Sequence, residues 1–380
     1  MNDAGSLSRR ELLGLGTLAW ATRPWGLDPE PPEPYFTPQE KFRDVSRGTP
    51  LPHKLPPEKR SEVGLTRETW RLDVVSDPEH KSKLGRPLSR EAGTALDWDG
   101  LMRLAEKRAV RIPKIMTCNN IGRPLGMGLW EGVPLRDLLW LTQPQEDLRR
   151  VIYWGYHNDD PKQMFRSSLP VGRVLEDPPG LPPVIVCYKL NGEFLTPERG
   201  APVRMVVPEA YGFKSIKWLT TILLSNLASA NDTYLDGNND IDSPLKTFAR
   251  TLSLQKEVKP AQPMVVWGLA QVGISGLSKV EVWVAGTEEK WPEDDPYFTR
   301  APWKEADIQP PPASWEGKPS RWPMPFTKAH WRFEVPGLAE GRYTLRCRTV
   351  DGNGVAQPMP RPFQKSGHAS IEESTIVVRA

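Results

Sequence analysis

A cysteine, a glycine and an arginine stand close together in Thr117-Cys118-Asn119-Asn120-Ile121-Gly122-Arg123. A thiolate is a soft metal ligand, and its proton leaves more readily beside positive charge or a metal. Gly122 lets the backbone approach a bulky group. Arg123, five residues after Cys118, can bring a guanidinium to whatever the sulfur holds. Taken alone, Cys118 at a strand end also reads as a small buried hydrophobe. Cys187 and Cys347 sit inside apolar or alternating runs and read as structural.

A second constellation spans Arg199-Gly200-Ala201-Pro202-Val203-Arg204-Met205-Val206-Val207-Pro208 and Tyr211-Gly212-Phe213-Lys214-Ser215-Ile216-Lys217-Trp218-Leu219. Arg199, Arg204, Lys214 and Lys217, with Ser215, Gly200 and Gly212, flank a strand that reads as buried. Point charges, a bidentate fork and free backbone N–H groups suit a phosphate or another oxyanion. A solvated basic face is the competing reading, and composition does not choose between them.

Other arrangements carry less. Asp236-x-Asn238-x-Asp240-x-Asp242 has the alternating oxygens of a calcium loop. It lacks the glycine at the sixth position and the glutamate at the twelfth, where Thr247 stands. Glu293-Asp294-Asp295 reads as a solvated acidic loop. The five histidines (His53, His80, His157, His330 and His368) show no metal-ligand spacing.

The elements that must position these groups follow from periodicity. Residues 70–75, 111–118, 151–156, 184–189 and 203–207 read as strands. Residues 98–108 carry apolar residues at helical spacing. Residues 134–141 open on proline and read as a short helix. Asn191-Gly192 is a hairpin signal, 119–132 a glycine-rich stretch, and 226–246 a polar linker or active-site loop. After about residue 245 the texture changes to alternating runs at 265–270, 279–285, 329–335, 341–350 and 374–379, with a turn at 351–354. That is an all-β, immunoglobulin-like sandwich without its cysteine pair. Residues 286–328 read as a Trp- and Pro-rich insertion. Proline-rich residues 27–60 read as an extended arm that wraps a domain.

Composition bounds the rest. The chain has 380 residues, 38% of them hydrophobic and 26% charged, which is a globular balance. A net charge of +3 argues against a nucleic-acid surface. Forty-one prolines require many ordered irregular connections. Three cysteines exclude a disulfide framework and a Cys₄ site. No heme-attachment motif and no transmembrane span is found. Ser8-Arg9-Arg10 before the weakly apolar run 14–21 resembles a twin-arginine export signal over residues 1–26, which would place the protein in the periplasm. The alternative is a first helix capped by Ser8, with Glu11 completing a capping box.

One resemblance joins these pieces. Thr117-Cys118-x-x-x-Gly122-Arg123, Leu129-Trp130-Glu131-Gly132-Val133-Pro134-Leu135-Arg136-Asp137-Leu138-Leu139, Tyr188-Lys189-Leu190-Asn191-Gly192, Gly200-x-Pro202-Val203-Arg204-x-Val206-Val207-Pro208 and Ser215-Ile216-Lys217-Trp218-Leu219 together resemble the sulfite oxidase family of molybdopterin enzymes. They stand in the family's order and at similar spacing. The resemblance implies an α+β fold: a mixed α/β molybdopterin-binding domain over 27–244, then an immunoglobulin-like dimerisation domain over 245–380.

The resemblance also implies roles. Cys118 matches the cysteine that ligates molybdenum. Arg204 and Lys217 match residues that hold the pterin phosphate and ring, and Gly212, Lys214 and Ser215 fall along that site. His53 and His157 lie near the cofactor segments and could donate to the pterin. Arg123 and Arg47 match arginines of a substrate oxyanion pocket, and Tyr234 falls where the family keeps an active-site tyrosine. Two departures stand out. Arg199 replaces a histidine, and Asn119-Asn120-Ile121 replaces an alanine-glycine-asparagine run.

The implied function is oxidation of sulfite or a related sulfur compound on molybdenum–molybdopterin. Electrons would pass to an external carrier such as a cytochrome c, and the enzyme would be a homodimer. Reduction of a sulfoxide or another S- or N-oxide is the second reading. A binding protein working through its β-sandwich is the third.

Overall fold

Trp70 shows how the first layer is built. Its ring is fully buried, and its indole Nε1 donates to the Leu219 carbonyl at 2.8 Å. That bond ties strand Arg71–Ser76 to Leu219–Ser225, which runs parallel beside it. The computed structural model describes residues 31–235, 242, 244–313, 315, 319–358 and 370–380. The export signal expected at 1–26 and most of the acidic run at 236–242 lie outside them.

The first sheet has the order Leu96–Asp97, Arg71–Ser76, Leu219–Ser225, Arg150–Gly155, Arg166–Pro170, and it is mixed. The second is antiparallel. It runs Val110–Met116, Gly126–Pro134, Ile185–Leu190 and Glu193–Phe194, with Arg204–Val206 also paired to Ile185–Leu190. Helices Trp98–Arg108 and Leu135–Leu141 bury Leu101, Leu135, Leu138 and Leu139 in the core they share with the first sheet. Asp97 caps the longer helix, accepting from the Gly100 N–H at 2.8 Å. Such a cap stabilises a helix by about 1 kcal/mol.

Among the strands that periodicity does not announce, two show why. Gly126–Pro134 overlaps the stretch 119–132, which reads only as glycine-rich. Its glycines serve close packing: a Cβ at Gly126 would meet the Phe42 ring at 2.5 Å, and one at Gly128 would meet Leu190 at 2.3 Å. Leu219–Ser225 was missed because both its faces are covered, which leaves no alternation to read.

The third assembly is the β-sandwich. One leaf holds Phe248–Ser253, Met264–Gln271 and Lys328–Val335. The other holds Lys279–Gly286, Gly341–Val350, Glu372–Val378 and Glu257–Val258. Strand Lys304–Ile308, inside the expected insertion, pairs with both leaves and joins them. Trp331, Val280, Val282, Leu345 and Ile376 fill the space between. Asp295, expected in a solvated loop, is buried and accepts from the N–H groups of Thr299 and Arg300.

The arm is visible from residue 31. Glu33 pairs with Lys328 of the sandwich, and Tyr35 packs against Trp315 and Trp322. Thr37 then donates to the Met127 carbonyl at 2.7 Å. On the far edge of the second sheet, the Ile115 N–H donates to the Phe326 carbonyl of the sandwich at 2.7 Å. The strand that leads to Cys118 is therefore fixed from both sides.

Candidate active site

Strand Val110–Met116 delivers Cys118 to the wall of a cavity of about 400 Å³. The thiol is half-buried and donates to Asn120 Oδ1 at 2.8 Å. Burial pushes its pKa up, while the backbone N–H groups of Asn120 and Asn119 and the charge of Arg47 pull it back. A thiol so placed releases its proton as a metal binds.

Arg47 and Tyr234 line the same cavity. Arg47 Nη1 donates to the Tyr234 hydroxyl at 2.7 Å. The guanidinium also lies 4.9 Å from the centroid of the Phe165 ring. Phe165 and Phe213 both meet the Tyr234 ring edge to face.

The basic wall is built from the two segments singled out in sequence. Buried Arg204 donates through Nη2 to the Ser215 carbonyl at 2.7 Å and through Nη1 to the Arg199 carbonyl at 3.0 Å. Ser215 Oγ accepts from the Val207 N–H at 3.1 Å. Lys217 Nζ donates to Asp44 Oδ1 at 2.9 Å, Ser46 Oγ at 2.7 Å and the Glu198 carbonyl at 2.6 Å. Desolvation lowers the Lys217 pKa to about 7, with help from Arg204, while Asp44 opposes the shift. Gly212, Ser215 and His157 line the same cavity.

Three expected site residues stand elsewhere. Arg123 is turned out of the cavity and is 60% exposed. It donates to the Thr251 carbonyl and approaches Glu372, in a separate cleft against the sandwich. The reason is geometric: its loop ends against the sandwich, whose carbonyl and carboxylate attract the guanidinium. Lys214 also misses the cavity. Its ammonium is buried in an ion pair with Asp232, because its side chain runs into the core beneath the Gly212–Lys214 turn. His53 lies behind the lining, stacked on Trp218 with its Nε2 3.6 Å from Asp44.

Other residues entered unannounced. Asn120 accepts from the thiol and Asp44 pairs with Lys217, while Arg199, one of the basic residues expected to meet an oxyanion, lines the cavity. Gly155 is needed because a Cβ there would lie 2.0 Å from the Lys217 carbonyl. Its only sequence signal is a glycine at the end of a strand.

Molybdenum held by a molybdopterin fits these residues. Cys118 offers the sulfur. Arg199, Arg204 and Lys217 offer positive charge for a phosphate. The buried Arg199 Nε and His157 Nδ1 have no partner within the protein, though both residues line the cavity. Buried polar atoms without partners are rare unless a ligand or water satisfies them. Cavities of this size hold small cofactors.

The family model "Oxidoreductase molybdopterin binding domain" matches residues 66–233. Those residues form a molybdopterin-binding oxidoreductase domain, and over much of the chain the sequence is similar to sulfite oxidases. It is 29% identical to the mitochondrial sulfite oxidase of Drosophila melanogaster over 53% of this chain and 34% of that protein. It is 25% identical to the sulfite oxidase of Gallus gallus over 60% of this chain and 50% of that protein. It is 33% identical to the NADPH nitrate reductase of Fusarium oxysporum over 34% of this chain and 14% of that protein. The chain thus spans half or less of the length of these relatives. The sulfane dehydrogenase SoxCD of Paracoccus pantotrophus superposes with a TM-score of 0.60, covering 95% of this chain and 97% of that one. At 17% identity it shows a shared fold alone.

No helix among the described residues is long and apolar enough to cross a membrane. The described residues also hold no cluster of His, Cys, Asp and Glu suited to another metal.

Proposed function

We propose that this protein oxidises a small anionic sulfur compound, with sulfite the first candidate, and passes the electrons to an external one-electron carrier. The observation that carries the reading is one cavity lined by both the Cys118 thiol and the hydrogen-bonded Arg47–Tyr234 pair. When bound, the molybdenum–dithiolene group supplies two-electron, oxygen-atom-transfer chemistry that no side chain provides. Arg47 binds the anion and turns its sulfur toward the metal ligand. Tyr234 holds the guanidinium in place and can accept or return a proton at its hydroxyl. Phe165 and Phe213 keep water from the approach, which strengthens the arginine–anion attraction. The sulfite oxidases among the relatives support this direction; the nitrate reductases among them keep the reductive one as its rival.

Export to the periplasm by the residues 1–26 signal, a cytochrome c as acceptor and a homodimer joined through the sandwich belong to the same proposal. The deciding experiment is metal and pterin analysis of the purified protein, followed by sulfite-dependent reduction of ferricyanide or cytochrome c. Molybdenum without sulfite turnover, but with dye oxidation driven by a sulfoxide or nitrate, would reverse the direction. Absence of molybdenum from protein made in a cofactor-competent host would end the reading.

A further inference from the structure

Lys214 and Asp232 form the most deeply buried ion pair described. Their side chains are 1% and 3% exposed, and Lys214 Nζ donates to Asp232 Oδ2 at 2.6 Å. The pair is fully dressed. Ser167 Oγ donates to Asp232 Oδ2 at 2.8 Å, Ser168 Oγ donates to Oδ1 at 2.5 Å, and Lys214 Nζ also reaches the Ser168 carbonyl at 2.8 Å. A buried pair stripped of one partner leaves a charge with no solvent, so such a pair fixes geometry strongly.

What it fixes is specific. Lys214 ends the turn Gly212–Lys214, whose Gly212 and Phe213 line the cavity. The Tyr153 hydroxyl holds the Lys214 carbonyl at 2.8 Å, anchoring that turn to the first sheet. Asp232 lies two residues before Tyr234. Between them, the Thr233 N–H donates to the Arg166 carbonyl at 3.0 Å, and Thr233 Oγ1 accepts from the Arg166 N–H at 2.9 Å. The segment is thus locked onto strand Arg166–Pro170, and Tyr234 projects from the lock onto Phe165, Phe213 and Arg47. Phe213, next to Lys214 in the chain, and Tyr234, two residues after Asp232, touch each other.

We propose that Lys214 and Asp232 are positioning residues: their ion pair sets the place of the Tyr234 hydroxyl against Arg47 and makes no contact with cofactor or substrate. The catalytic consequence rests on the function proposed above; the positional one does not.

The test separates the two. 3-Fluorotyrosine placed at position 234 gives one ¹⁹F resonance that reports the ring's surroundings without any turnover. In Asp232→Asn, that resonance shifts or splits, while a label at Tyr188, whose ring meets Trp98 and Phe194 instead, stays put. Molybdenum per chain stays at the parent level, since the pair does not hold the cofactor. In sulfite turnover, Asp232→Asn costs tenfold or more in kcat/KM, but twofold or less when added to Tyr234→Phe, because coupled residues are not additive. An unmoved Tyr234 resonance, equal shifts at Tyr188, or parallel loss of molybdenum would overturn the proposal. So would additive losses in the cycle. Parent protein that carries molybdenum but does not turn over sulfite counts against the function alone, and the resonance still decides the lock. If Asp232→Asn does not fold, Ser167→Ala and Ser168→Ala remove the hydroxyls that orient the carboxylate and are read in the same way.

Discussion

The guanidinium of Arg47 and the hydroxyl of Tyr234 lie 2.7 Å apart although 187 positions separate them in the chain. The arm that carries Arg47 and the segment that carries Tyr234 meet at the cavity. On the proposed function, two connecting segments rather than a sheet would meet the substrate, and the prediction is sharp. Arg47→Ala should raise KM for an anionic substrate by tenfold or more while leaving kcat within a few-fold. Arg123→Ala should leave KM within twofold, because its side chain points into the cleft with Glu372. Steady-state kinetics of the two variants side by side checks the assignment.

Cys118→Ser replaces a soft ligand by a hard, weakly acidic one. Turnover should fall by at least about a thousandfold, the loss expected when the group that tunes the metal is removed. The melting temperature should stay near that of the parent, since the half-buried thiol supports little packing. Circular dichroism and metal analysis give the comparison, and parent-like activity would remove the cysteine from the site.

Gly155→Ala tests the cradle. The added methyl would press on the carbonyls of Lys217 and Trp218. Overpacking of this kind costs about 1–3 kcal/mol. It should also move Lys217, so pterin released on denaturation should fall per mole of folded protein. A variant with a full pterin complement would show that the strand end yields without disturbing the basic wall.

Acid stability tests the arm. Burial would raise the Glu33 pKa, but the neighbouring His330 ring and the Lys328 ammonium outweigh it and hold the carboxyl at about 2, below its ordinary 4.5. A carboxyl lowered on folding stabilises above its ordinary range and loses that contribution as pH falls toward the folded value. Glu33→Gln should therefore melt below the parent at pH 7, by about 1 kcal/mol for a partly exposed pair. The gap should close between pH 4.5 and 2. A gap of constant size across that range would mean the carboxylate is not what holds the arm.

Local signals in the sequence were reliable where one interaction decides the conformation. Residues 98–108 form the expected helix because the apolar spacing and the Asp97 cap agree. Asn191 and Gly192 make the expected hairpin because both adopt positive φ, at 55° and 85°. Reading failed where a partner distant in sequence decides. The glycines of Gly126–Pro134 answer to Phe42 and Leu190, so they read only as a glycine-rich stretch until those neighbours are placed. The same holds in the site. Cys118, Arg204, Ser215 and Lys217 could be picked out from composition and family pattern. Lys214 could not be told from its basic neighbours, since only Asp232, eighteen positions away, turns it inward.

The bond from Ile115 to Phe326 carries a last implication. Strand Val110–Met116 is the outermost ribbon of its sheet, and the C-terminal half lies along its open side. A chain cut near residue 244 would leave the Ile115 N–H without its partner and bare that edge, three residues from the Cys118 sulfur. Such a rim recruits other chains. The two halves are therefore poor candidates for exchange between homologues: a transplanted cofactor domain would clump before it could be loaded.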